Sequence, residues 1–336
     1  MASQEKLVTV ITPVYNGAPY LQDCITSVLE QTYKNFEYFI VDNCSTDASL
    51  EIARAAAAAD SRITVVQCDE HVGPIQNWNR SLADVSDGSE YIKFVHADDW
   101  LFPTCIARMV ELADQNEDVG IVSAHRLEED RISLDKLPKD APLVPGMDNF
   151  TMDGRLVARA ILAERAYVIG SPTSFLLRTR LVRGMNPFFS TEYLHADKEA
   201  CLRLLQECDF GFIRQVFTFT RRHNEAITSL MSTLDSRRQE NLLLLEKHGP
   251  VFLSAPELLV ARQRELRGYY QFLARNVGTG KGSEFWASHK NILDKAGSPF
   301  ERMRLARTFL GRWLNPRSAL KEFLLSTRNR KDRTNS

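Results

Sequence analysis

Short apolar runs alternate with helical patterns over the first 125 residues of the chain. The runs are rich in β-branched and aromatic residues, and they predict strands at 7–15, 36–43, 62–68, 91–97 and 119–125. Apolar side chains at helical spacing predict intervening helices near 19–32, 47–59, 75–85 and 104–116. This alternation is typical of right-handed βαβ units, so it predicts an α/β fold with a mostly parallel sheet sandwiched by helices.

The alternation ends near residue 126. Residues 130–150 are polar and contain prolines, which predicts a long loop of a kind that is often functional. The following patterns predict a helix near 153–164, a strand at 174–178, a helix at 196–207 and a strand at 211–220. Beyond about 231 every pattern is helical, with predicted breaks at 248–250, 276–283, 296–299 and 315–318. We therefore predict a domain at 1–230 and a helical C-terminal region at 231–336.

Composition and charge limit the domain size, the partners and the cellular location that we expect for the protein. The 336 residues suffice for one large domain with an appendage, and the net charge of −1 gives no reason to expect a nucleic-acid partner. The six cysteines are scattered without metal-ligand spacing, which predicts reduced thiols. The N-terminus lacks the pattern of a signal peptide, and no window holds the roughly 18 consecutive apolar residues of a membrane span. We therefore expect a cytoplasmic protein.

Polar residues follow three of the predicted strands. Ligands of open parallel sheets bind beyond the carboxyl ends of the strands, where 12–17, Asp42 and the 96–99 segment would meet. Asp98 and Asp99 are adjacent carboxylates that raise one another's pKa unless a cation neutralises them. A hard divalent ion, Mn²⁺ or Mg²⁺, would remove that cost. The alternatives are that Asp42 caps the following helix and that Asp98 and Asp99 form a solvated turn.

Two common phosphate-binding motifs are absent from the sequence. The turn after the first predicted strand has one glycine, and Pro13 removes a backbone N–H there, so a dinucleotide-binding domain is not expected. The stretch "GTGKGS" at 278–283 lacks the glycine spacing of a P-loop and has no strand before it. We interpret it as a flexible loop.

Three segments carry a resemblance to a known family. They are "VTVITPVYNGAPYLQDCITSVLEQTYKNFEYFIVDNCSTDAS", "GPIQNWNRSL" and "YIKFVHADDWLFP". In order and spacing they resemble the inverting family 2 glycosyltransferases, strongly over 6–125 and more weakly to about 228. The resemblance implies a Rossmann-like GT-A catalytic domain at 1–230 that binds a nucleotide-sugar donor. It does not cover the residues beyond about 231.

The resemblance assigns donor-binding roles to five residues. Pro13, Val14 and Tyr15 match the positions that line the nucleotide base. Asp42 matches the residue that hydrogen-bonds the base, and Asn79 matches a frequent asparagine near the nucleotide.

It also assigns roles in the chemistry. Asp98 and Asp99 match the motif that binds the divalent ion and the ribose, and His223 matches a position that often contacts the metal or the diphosphate. Arg221 and Arg222 beside it each add a diphosphate contact or are solvated surface charges. Asp197 matches the general base that accepts the proton of the acceptor hydroxyl.

The chain departs from the family pattern at three positions. Asn43 and His96 stand where the family usually has aspartates, and Ala196 stands where it has a glutamate. His96 is either a substitute contact to the ribose or a neutral filler. Asp197 could also be a surface residue that begins a helix, and the rival bases near it are His195, Glu192 and Glu199.

The C-terminal segment 299–336 is basic and amphipathic. It holds ten basic residues against three acidic ones, and its Phe, Trp, Leu and Met residues recur at roughly helical spacing. Such a segment suits an anionic membrane surface, whereas the alternative is that its apolar face packs on the catalytic domain.

The sequence therefore predicts a metal-dependent inverting glycosyltransferase of polysaccharide biosynthesis. It would move a sugar from a nucleotide donor, which we expect to be a UDP-sugar, to a hydroxyl of a glycan or glycolipid. A nucleotidyltransferase and a nucleotide-sugar-binding scaffold without catalysis are the alternatives.

Overall fold

The computed structural model describes residues 5–128, 131–133, 136–142, 148–166, 168–221 and 236–314. The chain divides into two compact units, Met1–Ser229 and Leu230–Ser336, which are described separately below. Arg222 and His223, both predicted to bind the donor or the metal, lie outside the described residues, as does the C-terminal segment beyond 314.

The first unit is built on a ten-stranded sheet in the order β3-β2-β1-β4-β9-β6-β10-β5, with β7 paired to β6 and β8 paired to β10. The strands are β1 (Leu7–Val14), β2 (Phe36–Asp42), β3 (Ile63–Gln67), β4 (Ser89–Phe94), β5 (Trp100–Leu101), β6 (Val119–Glu128), β7 (Arg131–Ser133), β8 (Asn149–Met152), β9 (Phe175–Arg178) and β10 (Asp209–Thr220). Strands β1 to β4 pair in parallel, as do β6 and β10. The α/β prediction is confirmed.

Helices flank this sheet. They are α1 (Ala18–Leu29), α2 (Ser49–Ala59), α3 (Pro74–Arg80), α4 (Cys105–Asp114), α5 (Gly154–Arg159), α6 (Thr179–Arg183) and α7 (Ala196–Leu204). A π-helical turn follows α5 at Ala160–Glu164, and a 3₁₀ turn precedes β9 at Pro172–Ser174. Apolar residues of α1 and α4, such as Ile25 and Met109, pack with Val8 and Val10 of β1 in one core. Burial of both faces explains why the strands read as nearly continuous apolar runs.

The region after residue 126 differs from the prediction. Strand β6 continues to Glu128 and pairs antiparallel with β7, and β8 adds an antiparallel strand to the N-terminal half of β10. The prediction of one long loop at 130–150 is therefore wrong for these described parts. Strand β9 lies antiparallel between β4 and β6, so it separates the parallel strands β1 to β4 from the parallel pair β6 and β10.

Strand β4 is shorter than predicted at its functional end. It ends at Phe94, and the chain leaves the sheet before His96, although the Val95 amide still donates to the Ile11 carbonyl at 2.9 Å. The two-residue strand β5 follows and pairs with β10, which the sequence did not predict. The acidic pair thus lies in a turn between two strands.

The second unit is helical where the structure describes it. Its helices are α8 (Ser236–Phe252), α9 (Ala255–Asn276), α10 (Ser283–Lys295) and α11 (Arg302–Leu314). The predicted break at 248–250 is wrong, since α8 runs through Pro250. Gly249 lies so close to α9 that an added Cβ would be 2.5 Å from Leu258 Cδ1, so tertiary packing overrides the local signal. The breaks at 276–283, which include the "GTGKGS" stretch, and at 296–299 are confirmed.

The core of this unit is formed by Leu242, Tyr269, Leu273, Phe285 and Leu293. Among the residues described, no helix has both the length and the apolar character that crossing a membrane requires.

Candidate active site

The carboxyl ends of β1 and β2 form one side of the candidate site. Pro13 and Val14 are buried within β1 and pair with Val41 and Asp42 of β2, whereas the Tyr15 side chain is 49% exposed. The Tyr15 ring lies 4.3 Å from the ring of His71, centroid to centroid. Of the three residues predicted to line the nucleotide base, Tyr15 is therefore the one that presents its ring at the surface.

Asp42 is buried and accepts a hydrogen bond from the Ser45 backbone amide at 3.2 Å. It shapes the turn after β2 and does not cap α2, whose N-cap is Ala48. The alternative that Asp42 caps the helix is therefore wrong.

The loops after β1 and β2 are tied to one another. Asn16 Oδ1 accepts from the Thr46 amide at 2.8 Å, and the Asn16 amide donates to Ser45 Oγ at 3.0 Å. Asn16 and Cys44 both have positive φ, at 50° and 61°. Left-handed backbone at non-glycine residues is costly and concentrates at functional sites.

Asn43 holds a neighbouring loop through its buried carboxamide. Its Nδ2 donates to the Val72 carbonyl at 2.8 Å, while its Oδ1 accepts from the Val72 amide at 3.0 Å and from Arg80 Nη2 at 2.7 Å. An aspartate could accept these bonds but could not donate to Val72. This donor role gives a physical reason for asparagine where the family usually has aspartate.

The segment after β4 gathers three potential metal ligands. His96, Asp98 and Asp99 each offer one ligand atom, and these atoms all lie within 4.8 Å of one another. Burial and the charge of Asp98 raise the pKa of Asp99 well above its ordinary value. Burial also lowers the pKa of His96, which favours the neutral imidazole that can act as a ligand.

These residues fit a divalent cation. A buried carboxylate beside a second carboxylate is costly without a neutralising charge. In addition, His96 Nε2 is buried and has no hydrogen-bond partner among the residues that the structure describes. His96 is the third potential metal ligand in the structure, whereas the third ligand predicted from the resemblance was His223. In the sequence, the position of His96 beside the two aspartates in "HADD" was the signal that could have indicated this role.

Asn79 has a structural role in the segment before α7. Its Nδ2 donates to the Phe189 carbonyl at 2.7 Å, and its Oδ1 accepts from the Phe189 amide at 2.8 Å. The predicted contact of Asn79 with the nucleotide stays a prediction.

Asp197 lies in the first turn of α7. Burial raises the pKa of its carboxyl to about 6, although backbone amides and the charges of Lys198 and Arg126 oppose this shift. A carboxylate poised near neutral pH suits a general base.

The rival bases have different surroundings. Glu199 is fully buried and paired with Arg203, with 3.0 Å between Oε2 and Nε. Glu192 is exposed, and His195 is the N-cap residue of α7. Asp197 is half-buried, whereas Glu192 is exposed and Glu199 is already paired with Arg203.

The family model of Glycosyl transferase family 2 matches residues 9–180, slightly more than half of the chain. The chain belongs to this family. Among curated relatives, it is 42% identical to "Glycosyltransferase GlyA" of Streptococcus pneumoniae over 94 residues, which are 28% of this chain and 13% of GlyA. The chain spans 13% to 38% of the length of five of the curated relatives that it matches.

Two solved structures share the fold of this family 2 chain. The crystal structure of S. aureus TarS in complex with UDP-GlcNAc matches with a TM-score of 0.62 and 18% identity, covering 89% of this chain and 82% of that one. The mannosyltransferase PcManGT from Pyrobaculum calidifontis, in complex with GDP-Man and Mn²⁺, matches with a TM-score of 0.51 and 17% identity, covering 88% and 87%. At these identities the likeness shows the fold, which is the predicted GT-A fold.

In this family 2 chain, a residue from a distant segment supports the acidic pair. The buried hydroxyl of Thr173 donates to Asp99 Oδ2 at 2.6 Å and accepts from the His96 backbone amide at 3.1 Å. Lys93 is fully buried, and its Nζ donates to the carbonyls of Thr173 at 2.6 Å and Phe175 at 3.1 Å. Sequence reasoning missed both roles, although a lysine inside an apolar strand was a visible signal.

Arg221 contributes a positive charge beside the pair. Its backbone amide donates to Asp99 Oδ1 at 3.0 Å, and its guanidinium lies 4.3 Å from the centre of the Tyr20 ring. Its Nε also donates to the Asp98 carbonyl at 3.4 Å, so the guanidinium is held beside the acidic pair.

Thr173→Val is expected to lower the free energy of unfolding by about 1–3 kcal/mol, because the buried Asp99 carboxyl and His96 amide both lose a partner. Urea unfolding measures this change. Thr179→Val is the matched control, since Thr179 is also buried and its Oγ1 finds no partner in the described part of the chain. Equal destabilisation by the two substitutions would contradict the role given to Thr173.

Proposed function

We propose that this protein transfers a sugar from a nucleotide-diphosphate donor to a hydroxyl of a glycan or lipid-linked acceptor, with inversion at the anomeric carbon. The hydroxyl oxygen forms the new bond to that carbon while the bond to the diphosphate breaks. The nucleoside diphosphate leaves with the electron pair, and the hydroxyl proton passes to Asp197. Attack on the face opposite the leaving group inverts the configuration.

The observation that carries this proposal is the gathering of His96, Asp98 and Asp99 beside the loops of Tyr15 and Asp42. In parallel α/β sheets, nucleotides bind at this edge. The Tyr15 and His71 rings offer an aromatic surface for a base, and Asp42 offers a buried acceptor. A UDP-sugar is the donor we propose, in line with the resemblance and with the UDP-GlcNAc complex of TarS.

Asp98, Asp99 and His96 would hold a divalent cation, Mn²⁺ or Mg²⁺. Such an ion stabilises the negative charge that develops on a departing diphosphate. Arg221 would add a fixed positive charge near the same phosphates. The predicted contributions of Arg222 and His223 stay predictions.

Asp197 would act as the general base. Its raised pKa keeps the carboxylate basic enough to accept a proton at neutral pH, and such catalysis is typically worth roughly 10²–10⁴-fold. A scaffold without catalysis is the alternative from another class. The Asn43 side chain donates a hydrogen bond that an aspartate could not, and a His96 ring nitrogen lies within 4.8 Å of carboxylate oxygens of Asp98 and Asp99. These two departures from the family pattern therefore need not mean a loss of catalysis.

We also propose that the C-terminal region contacts an anionic membrane surface, which would suit a lipid-linked acceptor. On α11, Arg302 and Arg307 are exposed, together with Met303 at 67% and Leu310 at 59% exposure. A hollow of about 440 Å³ beside them is lined mainly by aromatic and aliphatic side chains and includes Lys290 and Arg302. Cationic and apolar groups on one helix are what an interfacial helix presents to lipid.

Incubation with UDP-sugars and Mn²⁺ tests the sugar transfer. We expect Asp197→Asn to lower kcat by about 10²–10⁴-fold and to leave donor binding nearly unchanged. Asp99→Ala should abolish metal-dependent donor binding, because it removes a proposed ligand. Calorimetry with UDP and Mn²⁺ separates the two effects. Equal loss of binding in both variants would contradict these roles, and binding without any turnover by the wild type would favour the scaffold.

The transfer rate should depend on the ionisation of Asp197. With a pKa of about 6, the base is lost as pH falls, so kcat at saturating donor and metal should decrease about tenfold per pH unit below roughly pH 6. Above that pH the rate should stay level. The residual activity of Asp197→Asn should not decrease in this way below roughly pH 6. The same decrease in the variant would assign the titration to another group.

The membrane contact is tested by co-sedimentation of the full chain with vesicles of phosphatidylglycerol and phosphatidylcholine. Arg302→Glu with Arg307→Glu should reduce binding by about tenfold or more, since each basic residue near an anionic surface contributes about 1 kcal/mol. The pair Arg267→Glu with Lys295→Glu makes the same change of charge at exposed positions outside α11. A similar loss in both pairs would indicate a general charge effect, and no loss in either would refute the contact.

A further inference from the structure

His96 is held by its backbone at the end of β4. Its amide donates to Thr173 Oγ1 at 3.1 Å, and its carbonyl accepts from the Asp99 amide at 3.0 Å and from Cys24 Sγ at 3.4 Å. Thr173 and Cys24 belong to two other segments of the chain. The Thr173 hydroxyl and the Asp99 amide therefore tie the backbone of His96 to Asp99.

The imidazole ring is held as well. It stacks on Trp78, with 5.1 Å between ring centroids and 25° between ring planes. Trp78 in turn contacts the edge of Phe189 at 5.3 Å, and Phe189 is bound through its backbone by Asn79. This packing limits the directions in which the ring nitrogens can point.

The surroundings of the ring do not suit a neutral filler. His96 Nε2 is buried without a partner in the described ranges, and an unsatisfied buried polar atom costs about 1–3 kcal/mol. A nitrogen of the same ring lies within 4.8 Å of carboxylate oxygens of both Asp98 and Asp99. A cation shared by that nearby ring nitrogen and the two carboxylates would neutralise the carboxylates.

Replacing a carboxylate by an imidazole changes which cation the site favours. Mg²⁺ and Ca²⁺ are hard ions that prefer oxygen ligands, whereas imidazole nitrogen favours first-row transition ions. Affinity for a nitrogen ligand rises from Mn²⁺ to Co²⁺ and Ni²⁺. Where the resembling family has an aspartate, this chain offers a neutral nitrogen donor.

We propose that His96 is a direct metal ligand and makes the site selective for transition ions such as Mn²⁺ and Co²⁺ over Mg²⁺. The proposal rests on the metal-dependent function above, and it adds an ion preference specific to this chain. On this proposal, histidine at position 96, where the family usually has aspartate, changes the ion specificity of the site and does not merely remove a carboxylate.

The test compares wild type with His96→Asp, which restores the family residue. Calorimetric titration of Mg²⁺ and Co²⁺ in the presence of UDP gives the ratio of their dissociation constants. We expect the preference of the wild type for Co²⁺ over Mg²⁺ to fall by about tenfold or more in His96→Asp. Pulsed electron paramagnetic resonance of the Mn²⁺–UDP complex should show coupling to a ¹⁴N nucleus in the wild type, and this coupling should disappear in His96→Asp.

Three outcomes would overturn the inference. The first two leave the proposed metal dependence standing, and the third refutes it. An unchanged Co²⁺ to Mg²⁺ ratio without ¹⁴N coupling would show that the cation binds the carboxylates alone. A loss of UDP affinity in metal-free buffer on His96→Ala would assign His96 to the ribose. If neither ion binds the wild type with UDP, the proposed metal dependence itself fails, and Asp99→Ala would then change no binding measured with the metals.

Discussion

The candidate site depends on one hydroxyl group. Thr173 donates to Asp99 and accepts from the His96 amide, so a single side chain sets the spacing between two of the three potential ligands. Thr173 reaches this position because β9 inserts between β4 and β6 and brings the 3₁₀ turn before it to the end of β4. Strand β9 therefore completes the edge of the sheet at which the polar residues after β1, β2 and β4 lie.

Much of this architecture could be predicted because it follows from the local spacing of apolar residues along the chain. The alternation of apolar runs and helical patterns gave the parallel βαβ part, and the adjacent Asp98 and Asp99 after an apolar run indicated a cation. The insertion of β9 could not be predicted in the same way, because pairing between strands far apart in sequence leaves no local pattern. The continuation of α8 through Pro250 was hidden for a similar reason, since close packing of Gly249 on α9 outweighs the local break signal.

The departures from the family pattern show a second limit of sequence reasoning. Asn43 and His96 look like lost carboxylates when residues are compared by type alone. In the folded chain, the Asn43 side chain donates a hydrogen bond that aspartate could not, and a His96 ring nitrogen lies within 4.8 Å of oxygens of two carboxylates. Ala196, the third departure, is fully buried at the start of α7, and nothing in its surroundings explains the absent glutamate.

Buried and exposed charges of this protein differ in their sensitivity to ionic strength. The Lys93 side chain is fully buried, so dissolved salt barely screens the hydrogen bonds from its Nζ to the carbonyls of Thr173 and Phe175. These bonds around the turn that carries Thr173 therefore persist in concentrated salt. The exposed arginines of α11 are surrounded by solvent, where counter-ions weaken attraction to an anionic surface. High salt would thus weaken the proposed contact with lipid while the buried bonds of Lys93 stay intact.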